Sequence, residues 1–123
     1  MGDSGFRSFR VWQDAKSLAV HIYNVTSAGN FLRDFGLRDQ MRRAAVSIPS
    51  NIAEGDERNT DRDSVRFLYM AKGSAGELLT QAIIAHEIGY IDLPVFTELE
   101  LRCTEIAKML SRLIAARSKS FSP

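Results

Sequence analysis

The chain has 123 residues, enough for one domain that buries roughly two-thirds of its surface without disulfide or metal staples. Its 45% hydrophobic and 25% charged residues exclude a disordered chain, and three prolines with eight glycines leave little room for a turn-rich all-β design. The formal net charge is only +1, but it is segregated: residues 1–50 sum to +3, 51–105 to −6 and 106–123 to +4.

Hydrophobic periodicity then sets out four helices in chain order. Val11, Ala15, Leu18, Ala19, Ile22 and Val25 recur at three- and four-residue spacing and predict a first helix over 9–27, with Gly29-Asn30 as its left-handed stop. Leu37, Met41, Ala44, Ala45, Ile48 and Ile52 predict a second over 35–56, closing at Gly55. After a polar turn, Thr60 or Asp61 serves as N-cap of a third helix over 61–89, whose stripe includes Val65, Leu68, Ala71, Ala75 and Leu78 and which stops at Gly89. Asp92-Leu93-Pro94 is a start signal for a fourth over 94–117, carrying Leu99, Cys103, Ile106, Leu110, Leu113 and Ile114. No stretch alternates in the manner of a strand. Short connections make sequential neighbours antiparallel. The expected fold is all-α: an antiparallel up-down-up-down four-helix bundle, one domain over 1–123, with a proline inside the second helix.

That proline raises a question about packing. Pro49 lacks the amide that would bond the carbonyl of Ala45, which costs a helix interior ~3 kcal/mol unless the surroundings compensate. Ser47, Ser50 and Asn51 can satisfy freed backbone groups or cross to a neighbour. Helical spacing places Gln40, Arg43, Ser47, Asn51 and Glu54 on a polar stripe beside the apolar one. The third helix has its own small-residue run, Gly73-Ser74-Ala75-Gly76, followed by Glu77. The second and third helices are therefore expected to cross closely here, with Glu77 paired to Arg43. Arg43, Ser47, Pro49, Asn51, Glu54, Gly55, Gly73, Ser74 and Glu77 form the expected structural or interface set.

Nothing in the sequence spells a reaction. In AKGSAGE the lysine precedes the glycines, unlike a phosphate-binding loop, and His86-Glu87 is followed by Tyr90 rather than a second histidine. No Glu-x-x-His repeat marks a di-iron bundle. His21 and His86 read as surface or core residues. Cys103 reads as a small buried hydrophobe, because Glu100 and Glu105 flank it and oppose a thiolate. The expectation is a non-enzyme with no catalytic residue, cofactor or metal. No apolar run approaches the ~20 residues of a membrane span. MGDSGFRSFR has no signal-peptide core, and Phe6 stands where a myristoylation pattern at Gly2 needs Ser or Thr. Asn24-Val25-Thr26 reads as a chance glycosylation sequon. A cytoplasmic protein without membrane contact is expected.

Trp12, Leu18 and Tyr23, FGLRDQMRRAAVSIPSNIAEG (35–55), RFLYMAKGSAGEL (66–78) and IGYID (88–92) resemble the bacterial four-helix-bundle 23S rRNA intervening-sequence proteins over roughly residues 9 to 115. The resemblance implies a small cytoplasmic bundle of a family often encoded within ribosomal RNA gene insertions. One branch of it forms a pentameric ring that binds nucleic acid and a reverse transcriptase in diversity-generating retroelements. It therefore implies a homo-oligomer, a pentamer by analogy, with RNA or DNA and a protein such as a reverse transcriptase as partners. NFLRDFGL departs from the family pattern by lacking Phe-Pro and being shorter.

A nucleic-acid reading needs cations that displace phosphate counterions. Arg38, Arg42, Arg112 and Arg117 are the candidate contacts. Against them, Asp34–Arg38, Asp39–Arg43 and Glu98–Arg102 are spaced as ordinary intrahelical ion pairs, and the basic C-terminal cluster suits a helix dipole. The competing expectation is an oligomeric scaffold that docks a protein without nucleic acid. It rests on a wealth of aromatics: Phe6, Phe9, Trp12, Phe31, Phe35, Phe67 and Tyr69.

Overall fold

Three oxygen-bearing side chains fix where helices begin. Asp34 accepts from the Leu37 amide (3.0 Å), Thr60 from Asp63 (3.1 Å) and Asp92 from Val95 (3.0 Å), each satisfying a first-turn donor that has no partner within the helix. The computed structural model describes residues 5–121 and contains four long helices: α1 (Arg10–Val25), α2 (Phe35–Asp56), α3 (Asp61–Glu87) and α4 (Leu93–Ser118). Two short 3-10 turns, Gly5–Ser8 and Gly29–Leu32, precede α1 and α2. Positions 1–4, which include the Gly2 of the myristoylation argument, and 122–123 of the expected 1–123 domain lie outside the described residues.

The helix ends follow two different rules. At the end of α3, Tyr90 donates to the Ala85 carbonyl (2.8 Å) and Gly89 to His86 (3.0 Å), with Gly89 at φ 83°. This is the left-handed glycine stop expected from the sequence. α1 departs from expectation by ending at Val25, before Gly29. The buried Thr26 hydroxyl donates back to the Ile22 carbonyl (2.7 Å), and Gly29, at φ 62°, opens the 3-10 turn instead. That turn drives Phe31 into the core at 1% exposure, edge-on to Tyr90 at 5.2 Å.

Apolar burial organises the rest. Leu18, Ile22, Ile48, Leu68, Leu78 and Ile106 are each within 1% of complete burial and belong to one cluster fed by all four helices. Arg42 reaches Thr26, Tyr90 reaches Asp34, and Arg117 reaches both Asp56 and Ser64. These contacts bring the end of α3 to the start of α2 and the end of α4 to the start of α3. The α2–α3 and α3–α4 seams are the closest, and α1 meets α4 only loosely.

Pro49 is buried inside α2, and the helix continues through it to Asp56. Asn51 donates from Nδ2 to both the carbonyl and the hydroxyl of Ser47 (2.9 Å each), and the Ser74 hydroxyl donates to that of Ser47 (2.9 Å). The crossing expected between the second and third helices is therefore made by serines. The glycines act differently from expectation. A side-chain carbon added at Gly73 or Gly76 would meet nothing within 4 Å, whereas one at Gly55 would stand 3.1 Å from the Ser64 carbonyl and 3.3 Å from the Phe67 side chain. Gly55 is where the two backbones need the missing side chain.

Candidate nucleic-acid interface

The N-terminal half of α2 turns Asp39, Arg43 and Val46 to solvent, with Arg38 and Arg42 along its border with the end of α1. Arg38 donates from Nε to Asp39 (3.0 Å), and its guanidinium lies 4.6 Å over the ring of Phe35, which is 59% exposed. One turn further, Arg42 lies 4.5 Å over Tyr23, donating from Nε to the Thr26 hydroxyl (2.9 Å) and from Nη2 to Ser27 (3.2 Å). Each stack contributes about 0.5–1 kcal/mol at an exposed site and holds the guanidinium flat on the surface. Arg42 thus links α2 to the end of α1. Thr26, the third residue of the sequon, is fully buried by the same contact.

The expected pairs Asp34–Arg38 and Asp39–Arg43 do not form. Asp34 is engaged as N-cap and as acceptor of the Tyr90 hydroxyl (2.9 Å), while Asp39 turns to its neighbour Arg38. These bonds, first from the Leu37 amide and then from Tyr90, lower the Asp34 pKa below its usual 3.8. Hydrogen bonding to that carboxylate, then burial, raises the Tyr90 phenol above 10.

Arg43 also departs from expectation. Among the described residues it makes no ion pair with Glu77. The two face each other across a cleft of about 360 Å³ between α2 and α3, lined also by Asp39, Gln40 and Gln81. Both side chains are exposed, so water solvates them and no pairing is forced. Gln81 is the member that sequence reading missed. It is 7% exposed, and its Oε1 is buried without a hydrogen-bond partner. Its signal was faint: a single amide one turn beyond Glu77, just before the apolar run from Ala82 to Ala85. A second, shallower cleft on the α1 side of Arg43 is bordered by Tyr23, Arg42 and Val46.

The remaining candidates lie elsewhere. Arg112 lines an open groove of about 350 Å³ between α1 and α4, together with Arg10, Arg102 and the apolar Ile106 and Met109. Arg117 lies at the same end of the bundle but is held inside. It sits 3.6 Å from Asp56, donates to the Ser64 hydroxyl at 2.5 Å and covers Phe9. Glu54 pairs with Arg58 (2.6 Å), far along α2 from Arg43. Glu98–Arg102 forms as spaced (3.3 Å), and Glu98 also lies 3.5 Å from His21. His86 stacks on Phe96, and burial pushes the Cys103 thiol up to about 12. Among the described residues no three metal-ligating side chains come together, and no helix is long and apolar enough to cross a membrane.

Comparison with known proteins agrees with this architecture. No curated protein matches the chain. A crystal structure from Bacteroides thetaiotaomicron, a protein of unknown function from the S23 ribosomal protein family, is similar with a TM-score of 0.80 and 26% identity. The alignment covers 85% of this chain and 97% of that one. The family model for 23S rRNA-intervening sequence proteins matches residues 7–112, the span that holds α1, α2, α3, most of α4 and the SIPSNIAEG core, and the chain belongs to that family.

Proposed function

We propose that this protein is a non-enzymatic, cytoplasmic accessory protein that binds nucleic acid, working as one domain and as a homo-oligomer. The observation that carries the reading is the pair of guanidinium-on-aromatic stacks, Arg38 on Phe35 and Arg42 on Tyr23. The outer plane of a guanidinium held flat on a ring accepts an unpaired base by stacking, and its edge meets a phosphate, the combination that single-stranded nucleic acid requires. Arg43 adds a cation without an ion pair to this face, and since Arg38 and Asp39 neutralise each other, its net positive charge comes from Arg42 and Arg43. Arg112 adds one further cation, in a groove of mixed charge where Arg10 lies 3.7 Å from Asp14 and Arg102 lies 3.3 Å from Glu98. Arg117 serves the fold, since Asp56 and Ser64 occupy it.

Anisotropy of labelled RNA and DNA hairpins across a salt series tests this. Binding should weaken steeply with salt, and Arg38→Glu should reduce affinity about tenfold at low salt while Lys108→Glu leaves it unchanged. Indifference to both hairpins at about 50 mM salt would transfer the protein to the scaffold reading.

A specific observation favours self-association or protein docking as the second reading. Val20, Tyr23 and Val46, each 41–56% exposed, border an apolar groove between α1 and α2 that also includes Ala19 and Pro49. The opposite net charges of residues 1–50 (+3) and 51–105 (−6) suit a head-to-tail contact, which closes into a ring or grows into a filament. The pentamer and a reverse-transcriptase partner rest on family resemblance alone. Light scattering that returns a monomer at about micromolar concentration would end the ring.

A further inference from the structure

We propose that the cleft between α2 and α3 is a recognition pocket for a guanine base. This rests on the nucleic-acid reading and names what the same face of α2 would select. Among the described residues neither Arg43 nor Glu77 is hydrogen-bonded or ion-paired, and Gln81, 7% exposed, has a buried Oε1 with no donor. All three line one cleft of about 360 Å³, at the small end of ligand sites and of a size for one flat ring. Glu77 and Gln81 are one helical turn apart and so share a face of α3, while Arg43 stands opposite on α2.

The chemistry of these groups selects the visitor. Arg43 repels a cation such as a protein's lysine or arginine, and Glu77 repels a phosphate or carboxylate. What fits is a neutral edge with one acceptor for the guanidinium and two adjacent donors for the two oxygens of the carboxylate, beside the Gln81 side chain that lines the cleft. Guanine offers this: O6 accepts, and N1–H and N2–H₂ donate. Cytosine presents one donor and two acceptors, uracil a donor between two acceptors, and adenine lacks the second donor. Asp39 does not disturb the selection, because Arg38 holds its carboxylate at 3.0 Å. Arg42 and Tyr23 border the neighbouring cleft that shares Arg43 and can hold the flanking phosphate or base of a strand.

The test titrates the isotope-labelled full chain with GMP, AMP, CMP and UMP and follows the side-chain amide signals of Gln81. GMP should saturate these signals at about tenfold lower concentration than the other three, and inosine monophosphate, without the N2 amino group, should lose most of that advantage. Glu77→Gln should abolish the preference, and Glu105→Gln, in the α1–α4 groove, should keep it. Equal responses to all four nucleotides, or none, overturn the proposal. So does a Gln81 response to arginine amide in place of GMP, which assigns the cleft to a protein side chain. Anisotropy with oligouridine strands, with and without one central guanosine, then separates the sources. Tighter binding of the guanosine strand, lost in Glu77→Gln, places the base in a nucleic acid, and equal binding leaves a free-nucleotide pocket. Failure of both strands to bind overturns the nucleic-acid reading, while the GMP response still decides the pocket.

Discussion

The two ends of the α2–α3 seam are built from the same residue types and behave oppositely. Near the α2–α3 turn, Glu54, Arg58, Asp63 and Arg66 form a chain of ion pairs at 2.6–3.6 Å, and Phe67 is sandwiched between the guanidinium groups of Arg58 and Arg66. Asp56 and Arg117 complete that end from inside. At the other end, Arg43 and Glu77 face each other without pairing, over a buried glutamine whose carbonyl has no donor. The charges do not distinguish the two ends. Backbone separation does: at Gly55 the helices come close enough for short side chains and neighbouring acids to saturate every cation, and beyond Ser47–Ser74 they leave a cleft. An ion that its own fold has satisfied is a tie. One left facing a cleft is capacity for a ligand.

The comparison breaks most severely at Gly55. Gly55→Val places carbon atoms against the Ser64 carbonyl and Phe67, where Cβ alone at 3.1 and 3.3 Å already requires the neighbours to give by a few tenths of an ångström, and backbone cannot yield as a flexible side chain would. Overpacking of this kind costs about 3 kcal/mol, read as a lower denaturant midpoint at unchanged slope. A midpoint within error of the parent would mean that the seam is not tight there.

The arginines sharpen the contrast. Arg117→Ala removes a guanidinium from between Asp56 and Ser64, both largely buried, and should destabilise the fold by about 2 kcal/mol. Arg43→Ala should change stability by less than about 0.5 kcal/mol, because the side chain is exposed and holds nothing in the chain. Equal losses in urea denaturation would erase the distinction between tie and ligand group. Gly73→Ala and Gly76→Ala should move in the other direction, each raising stability by about 0.5–1 kcal/mol, since both positions lie in a helix with open space where the methyl group would go.

How much of this was written in the sequence depends on the range of the interaction. Helices, the Thr60 and Asp92 caps and the Gly89 stop depend on neighbours within a turn, and they read correctly. So did the polar stripe from Gln40 to Glu54, because one helical angle per residue decides which side chains share a face. The same angle already sets Gly73 apart from the Ala71, Ala75 and Leu78 stripe, and small size alone led to the reading that it faced α2. Of the acid–base pairs at four-residue spacing, Glu98–Arg102 formed and two failed for a local reason: Asp34 is more useful as a cap than as a partner, and Asp39 has a nearer arginine. Arg42 on Tyr23 and Thr26, Tyr90 on Asp34 and Arg117 on Ser64 join positions 16 to 56 residues apart, where no spacing rule reaches. The candidate site consists of such contacts, so sequence could nominate Arg38, Arg42 and Arg43 but could not tell that Gln81 sits beneath them.

The smallest effect belongs to the helix-end contact that couples Tyr90 to Asp34. Asp34 has a lowered pKa in the fold, so its contribution is present above the ordinary carboxylate value of 3.8 and is lost as pH falls through the lowered value. Tyr90 has a raised pKa, so its contribution is present below 10 and is lost as pH climbs through the raised value. Tyr90→Phe removes the phenol from both arms but leaves the Leu37 amide, the larger cause of the Asp34 shift. Melting temperatures measured from about pH 2 to 5 should therefore show a shallower acid limb in the variant without abolishing it. The alkaline limb near pH 10 should flatten by whatever part this tyrosine contributes. An acid limb identical to the parent's would mean that the cap alone sets the Asp34 carboxylate and that Tyr90 contributes only its ring against Phe31.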